Sequence, residues 1–359
     1  MDLTALGWTP RFAEAFAPYA AEGMVPARVA LEHTHIYRIF AATGERLARV
    51  SGRLRHNAAR RVDFPAVGDW VAIDPGALEA DARINAVLPR FSRFSRRAAG
   101  DATEEQIVAA NIDVVFLVGG LDHDFNPRRI ERYLVVAWES GATPVVVLNK
   151  SDLVDDPERF AEDVRSLAPG VDVHAVSAKH PDTLDSLRAH LGRGRTGALL
   201  GMSGVGKSTI VNRLIGQDVI QTRDVRVYDS RGRHTTTARQ LIALGDEGML
   251  IDTPGMRELQ LWDASVSLEE AFPDIEALAA SCRFRDCRHA QEPGCAVRAA
   301  VESGDLPEGR YESYQKLVSE REYQRRQVDE RALLEHKRKW KVVTKAANKH
   351  IKAKRDERQ

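Results

Sequence analysis

The sequence predicts a multidomain α/β protein with three parts: an N-terminal OB-type β-barrel, a circularly permuted phosphate-loop domain and a C-terminal metal-bearing helical domain. Three observations predict it. Short β-rich runs broken by turn residues fill positions 24–97, strands alternate with helical patterns over 100–262, and all three cysteines lie between Cys282 and Cys295. The expected bounds are 1–98, 99–263 and 264–359.

In the first part, runs 25–31, 36–40, 47–51 and 67–73 have strand character. They are separated by Thr43-Gly44, a polar stretch around Asn57, and Asp74-Pro75-Gly76. These four runs, with room for a fifth strand in roughly 75 residues, suit a small closed barrel of the OB type. Such barrels bind RNA through a strand face and its loops. Arg53, Arg55, Arg60 and Arg61, then Arg90, Arg93, Arg96 and Arg97 beside Phe91 and Phe94, are candidate phosphate and stacking contacts. The competing reading is an SH3-like barrel with exposed arginines and buried phenylalanines.

In the second part, 112–118 is an unbroken apolar strand, 127–138 a helix with proline just inside its start, and 144–148 a buried strand running into Asn149. A helix over 157–167 and a strand over 171–175 follow, delivering Ser177-Ala178-Lys179. Gly192-Arg193-Gly194-Arg195-Thr196-Gly197 reads as a connection, and 198–200 as the strand before a glycine-rich loop.

That loop, Gly201-Met202-Ser203-Gly204-Val205-Gly206-Lys207-Ser208 with Thr209, has the phosphate-binding form. Its glycines let backbone N–H groups turn toward phosphate oxygens at a helix N-terminus, Lys207 neutralises the β- and γ-phosphates, and the Ser208 hydroxyl ligates Mg²⁺. Asn149-Lys150-Ser151-Asp152 has the N-K-x-D form that reads guanine. Asp152 accepts from the base N1–H and amine, Asn149 braces the loops, and the Lys150 stem covers the base; a site so built rejects adenine. The Ser177-Ala178-Lys179 backbone would reach guanine O6. Asp252-Thr253-Pro254-Gly255 matches D-x-x-G, with Asp252 on Mg²⁺ through water and the Gly255 N–H sensing the γ-phosphate. Arg231-Gly232-Arg233-His234-Thr235-Thr236-Thr237 occupies the place of a first switch. One of its threonines completes the Mg²⁺ shell; Thr236 is favoured, though the three are not separable. The base reader precedes the phosphate loop by some fifty residues, the reverse of the ordinary order, so the domain reads as a permuted GTP-binding domain. Met256 stands where many GTPases carry a water-orienting glutamine, which leaves His234 as the nearest polar candidate for hydrolysis.

In the third part, Cys282, Cys287, His289 and Cys295 supply three thiolates and an imidazole, a complete tetrahedral set for structural zinc. A module this small is expected to need its metal to fold. The tail from Tyr311 is rich in helix formers and ends in Lys337-Arg338-Lys339-Trp340-Lys341 and further lysines, so it either binds RNA phosphates with Trp340 stacking or solvates the chain end.

The net charge of the 359 residues is zero, yet positions 1–97 carry +4 and 336–359 carry +8, leaving about −12 between them. Basic flanks suit a polyanion partner. No basic start leads into a long apolar run, and the apolar segments have strand length, so a cytoplasmic protein without membrane spans is expected.

The order N-K-S-D, S-A-K, G-M-S-G-V-G-K-S-T, G-R-H-T-T-T, D-T-P-G and C-x4-C-x-H-x5-C, behind a small β-barrel, resembles the ribosome small-subunit-dependent GTPase A family (RsgA, also called YjeQ). The resemblance spans nearly the whole chain except roughly the first twenty residues and the basic tail. It implies an OB barrel, a permuted GTPase domain and a zinc-bearing helical domain. It also implies a late maturation factor that contacts the small ribosomal subunit and its rRNA, binds GTP and GDP, and acts as a monomer. His234 matches the histidine proposed as catalytic there. The alternatives are a GTP-sensing RNA-binding module, or a GTPase acting on another structured RNA.

Overall fold

Helix α1 (Pro10–Ala21) is the first element of the computed structural model, which describes residues 1–33, 36–74, 76, 80–98, 101–122, 125–216, 239–252 and 267–322. Pro10 sits in the first turn, where its missing N–H is no loss, and Phe12 and Phe16 turn inward. Trp8 meets Trp70 edge-on at 4.7 Å, which caps the barrel with aromatic surface.

The barrel comprises β1 (Val25–His33), β2 (Ile36–Ala41), β3 (Gly44–Val50), β4 (Trp70–Asp74) and β5 (Ala82–Val87), with helix α2 (Gly52–Asn57) between β3 and β4. The order is β1-β2-β3-β5-β4, and β4 returns to pair with β1, which closes the five strands. Val29, Ile39, Val71, Ile73 and Ile84 fill the interior with no exposed surface. The expected barrel is present.

Strands β6 (Arg93–Ala98) and β7 (Asp101–Ala110) form a separate hairpin, so the expected bound at 98 falls at its turn. The α/β part follows as β8 (Val114–Gly120), α3 (Pro127–Ser140), β9 (Thr143–Asn149), α4 (Pro157–Leu167), β10 (Asp172–Ala175), α5 (Asp185–Arg188), β11 (Thr196–Gly201), α6 (Lys207–Ile215), β12 (Gln240–Ala243) and β13 (Met249–Asp252). β8 starts two residues later than expected because Asn111, at φ 55°, turns the chain out of the hairpin. The strand order is β10-β9-β8-β11-β13-β12, parallel except for β12. Leu31 of β1 pairs with Gln240 of β12, joining barrel and α/β sheet into one 11-stranded sheet.

Buried Arg28 of β1 fastens this junction. Its guanidinium donates to the carbonyls of Leu6 (2.5 Å), Gly68 (3.2 Å) and Asn111 (3.0 Å) and to Oγ1 of Thr196 (2.9 Å). It thus ties the N-terminal segment, the barrel, the hairpin exit and the Gly192–Gly197 connection to one side chain. Burial lowers its pKa to about 10, so it stays charged at neutral pH.

Helices α7 (Ser267–Ala271), α8 (Pro273–Ala279) and α9 (Ala296–Ser303) make up the C-terminal part, and a helical segment follows over 308–322. Leu268, Phe272 and Ile275 share one core with Ile130 and Leu134 of α3. The part expected to lack a core therefore borrows one. Arg310, 5 % exposed, clamps it with Nη1 at 2.8 Å from Glu131 of α3 and Nε at 2.5 Å from Asp274 of α8. No helix among the described residues is long and apolar enough to cross a membrane.

Candidate nucleotide site and cysteine cluster

The buried valines of β9 deliver Asn149, itself 2 % exposed, to the C-terminal edge of the parallel sheet, where open α/β folds bind ligands. Its Nδ2 donates to the Val205 carbonyl in the glycine-rich loop (2.7 Å), and its Oδ1 accepts from the Ala178 N–H (3.0 Å). One side chain thus joins three segments far apart in sequence. Gly206, at φ 95°, passes so close that a Cβ there would lie 2.2 Å from Asn149 Nδ2. Only glycine suits both the turn and the approach.

Asp152 stands beside Asn149 with both carboxylate oxygens engaged. Ser177 Oγ donates to Oδ1 at 2.7 Å, and Lys179 Nζ lies 2.7 Å from Oδ2. These partners hold the Asp152 carboxyl below the ordinary carboxylate range, with the Lys179 hydrogen bond the larger cause. The carboxylate is therefore ionised at neutral pH and able to accept a pair of donors. The Ser151 N–H donates to Val176 O at 3.0 Å, and Thr183 Oγ1 accepts from the Ser177 N–H at 3.0 Å, which fixes the loop that carries Ala178. Thr183 was not foreseen. Its signal, a threonine six residues on, is too common to notice.

The glycine-rich loop leaves β11 at Gly201, where a Cβ would meet Val118 O at 2.3 Å. Met202, Ser203 and Gly204 are exposed, and buried Val205 anchors the far side. Helix α6 begins at Lys207 with no side-chain cap, so its first N–H groups and positive dipole end remain open to an anion. Lys207 Nζ donates to the carbonyls of Gly201 (2.8 Å) and Met202 (2.6 Å), spanning the loop. Ser208 and Thr209 follow in the first turn, half-buried. Asp252 ends β13, parallel to β11. Burial raises its pKa while the Lys207 charge opposes the shift, so the two groups share one field. Oxygen donors of this kind suit Mg²⁺. His234, Thr236 and the rest of the first-switch segment, Gly255, Met256 and the tail with Trp340 lie outside the described residues.

The ligand atoms of Cys282, Cys287, His289 and Cys295 all lie within 4.8 Å of one another. Cys282 Sγ is 3.9 Å from Cys295 Sγ, and His289 Nδ1 is 3.5 and 3.4 Å from those two sulfurs. Zinc–sulfur bonds of about 2.3 Å in a tetrahedron place sulfurs about 3.8 Å apart, so the donor set fits that ion. His289 adopts φ 58°, its carbonyl accepts from the Tyr311 hydroxyl, and burial lowers its pKa, favouring the neutral ring that a metal needs.

The barrel-side arginines divide. Arg53, Arg55, Arg60 and Arg61 are exposed. Arg90 braces the barrel instead of facing an RNA partner: it bonds Asp69 at 2.7 and 2.6 Å and the carbonyls of Val62 (2.8 Å) and Phe64 (2.9 Å). Phe94 is 1 % exposed and belongs to the core, and Phe91 packs partly buried against it. Arg93 and Arg96 face Glu105 and Gln106 across the hairpin.

A permuted parallel sheet that brings an N-K-x-D loop onto a phosphate loop, with a five-stranded barrel ahead of it, defines a circularly permuted GTPase. A profile of the RsgA GTPase family matches residues 87–262. The small ribosomal subunit biogenesis GTPase RsgA of Opitutus terrae is 50% identical over 352 residues, 96% of each chain. That of Streptomyces coelicolor is 44% identical over 351 residues, 96% of this chain and 94% of its own. Crystal structures of YjeQ from Thermotoga maritima (TM-score 0.63, 27% identity, 83% of this chain and 98% of that one) and of YloQ, described as a circularly permuted GTPase (0.60, 26%, 83% and 95%), share the fold. The chain belongs to the RsgA GTPase family and is a GTP-hydrolysing enzyme.

Proposed function

We propose that this enzyme acts in late maturation of the small ribosomal subunit in the cytoplasm, working as a monomer that grips ribosomal RNA and leaves when its GTP is hydrolysed. The single observation that carries the nucleotide half is the Asn149 bridge, which brings the base reader, the Ser177–Lys179 loop and the phosphate loop together. The names of the relatives, small ribosomal subunit biogenesis GTPases, support the ribosomal half. The exposed Arg53, Arg55, Arg60 and Arg61 and the basic tail supply a polyanion-binding surface. The division of labour follows 1–98, 99–263 and 264–359.

In this reading Asp152 accepts the guanine donors, displacing the Lys179 ammonium from Oδ2. Lys207 turns from its own loop carbonyls to the phosphates, and Ser208 and Thr236 would hold Mg²⁺, with Asp252 reaching it through water, so that the ion would supply charge neutralisation at the phosphates. Gly255 senses the γ-phosphate. Cys282, Cys287, His289 and Cys295 hold structural zinc. His234 orients the attacking water, since Met256 has no group to do so. His234→Ala is then expected to cut turnover at least tenfold while GTP affinity stays near wild type, because the side chain acts on the water rather than the ground-state nucleotide. Unchanged turnover removes His234 from the mechanism.

The decisive test of the whole reading uses purified small subunits. Co-sedimentation in a non-hydrolysable GTP analogue and strong stimulation of multiple-turnover hydrolysis are expected. Binding without stimulation would favour a GTP-gated RNA-binding module, and stronger competition by another structured RNA would move the substrate elsewhere.

A further inference from the structure

Lys150 has an unusual backbone for its residue type. At φ 66° it sits in the left-handed region, which a side chain with a Cβ rarely adopts without surrounding restraint. Three backbone bonds hold it there: Leu121 N–H to Asn149 O (2.8 Å), Ser151 N–H to Val176 O (3.0 Å) and Leu153 N–H to Lys150 O (3.0 Å). The turn directs the side chain to the end of β8, where its Nζ lies 2.5 Å from Asp122 Oδ2. Both side chains are about three-quarters buried, 25% and 28% exposed, so the pair is partly shielded from solvent. The chain also makes room for it. A Cβ at Gly120 would stand 3.1 Å from Asp122 Oδ1, a contact that a side chain there would crowd.

We propose that Asp122 is a positioning residue for Lys150: it fixes the ammonium so that the aliphatic stem stays in place as one wall of the base slot. The inference rests on the nucleotide reading given above. A lysine stem is flexible, and ordering it when the nucleotide arrives loses rotamer entropy. An ion pair already made in the free protein means that much of that loss is incurred on folding instead. In this proposal the effect of Asp122 on nucleotide affinity passes through Lys150, and the test separates such positioning from general support of the loop.

The test compares Asp122→Asn, Asp122→Ala and Lys150→Met in the full-length chain, with GDP, GTP and IDP affinities read by fluorescent nucleotide displacement. Asp122→Asn is nearly isosteric and keeps an acceptor while removing the charge, so it carries the test if the alanine variant folds poorly. We expect Asp122→Asn to weaken GDP and GTP by the same factor, about tenfold. The GDP-to-IDP preference, which reports Asp152, should stay at its wild-type value, as should turnover at saturating GTP. In the Lys150→Met background the Asp122 substitution should add nothing, because the partner is gone. Wild-type affinity in Asp122→Asn overturns the inference, as does an equal loss in the Lys150→Met background or a changed GDP-to-IDP ratio. If the unsubstituted protein bound no guanine nucleotide, the nucleotide reading itself would fall, an outcome distinct from all three.

Discussion

His174 and His190 show what a single proton can do in this chain. Their Nε2 atoms lie 2.8 Å apart, a contact that needs at least one neutral ring, and the pair bridges β10 to the segment before the Gly192–Gly197 connection. Burial and then the His190 charge lower the His174 pKa, with Asp172 opposing and Arg165 adding to the shift. The unfolded chain therefore takes up this proton before the folded one does, so stability is lost as pH falls below the ordinary histidine value of about 6.5. Thermal midpoints between pH 7.5 and 5.5 (about one unit either side of that value) should fall more steeply for wild type than for His174→Gln. Equal slopes would show that the pair does not couple to folding. At this scale the motif residues were legible because each does its chemistry within a few positions of its neighbours: Asn149 and Asp152, Ser177 and Ala178, Gly206 and Lys207. Asp122 was not legible. An acid after an apolar run looks like any strand end, and its partner lies 28 residues on.

Elements were legible where their period matched their burial. The helix over Pro157–Leu167 and the central strands follow the apolar pattern closely. Hairpin β6–β7 escaped notice because β7 opens with polar residues and carries its apolar ones, Ile107 to Ala110, only at the end. Arg90 and Phe94 misled for a related reason: an arginine and aromatic run reads the same whether it faces solvent or braces Asp69 and the core. The clearest element-scale prediction concerns α3 and the C-terminal helices. Glu131 is 1% exposed and Arg310 5%, so Arg310→Met leaves the buried carboxylate with Arg128, at 2.7 Å, as its remaining cationic partner and should destabilise the protein by about 2 kcal/mol. Glu131→Gln in the same chain should recover part of that loss. A loss of unfolding free energy below about 1 kcal/mol would mean that Arg128 alone suffices for Glu131. The shared core with α3 also revises what metal removal does. Chelation should speed amide exchange over 282–303 while α7 and α8, docked on α3, keep their protection. Equal loss throughout would restore an autonomous, metal-dependent module.

Across the whole molecule, three parts and their order were legible in the sequence, whereas their fusion was not. Arg28, Arg310 and the Leu31–Gln240 pairing join segments more than a hundred residues apart, a separation at which neither composition nor periodicity carries information. Permutation places Asp252 at the end of the last strand before the C-terminal helices, so the segment proposed to sense hydrolysis is also the one that precedes them in the chain. Flexible residues inserted just ahead of Ser267 should leave GTP affinity unchanged but weaken nucleotide-dependent release from the small subunit. Normal release after insertion would reduce the permutation to a mark of ancestry.

The seam between barrel and nucleotide sheet has a mechanical consequence. Among the described residues it is one register pair wide, Leu31 opposite Gln240, with Arg28 three positions back along the same strand. Narrow in strand pairing, the seam is broad in packing: Ala30, Trp70 and Ala72 of the barrel share one buried core with Ile112, Val115 and Ile251, so barrel and nucleotide sheet are joined by side chains rather than by a flexible joint. Arg28, held by three carbonyls and Thr196 Oγ1, is the rivet of that seam. β12 follows in sequence on the segment that holds the first-switch motif and pairs with β1 of the barrel, so a displacement of β12 would be handed to the barrel through Leu31 and the shared core.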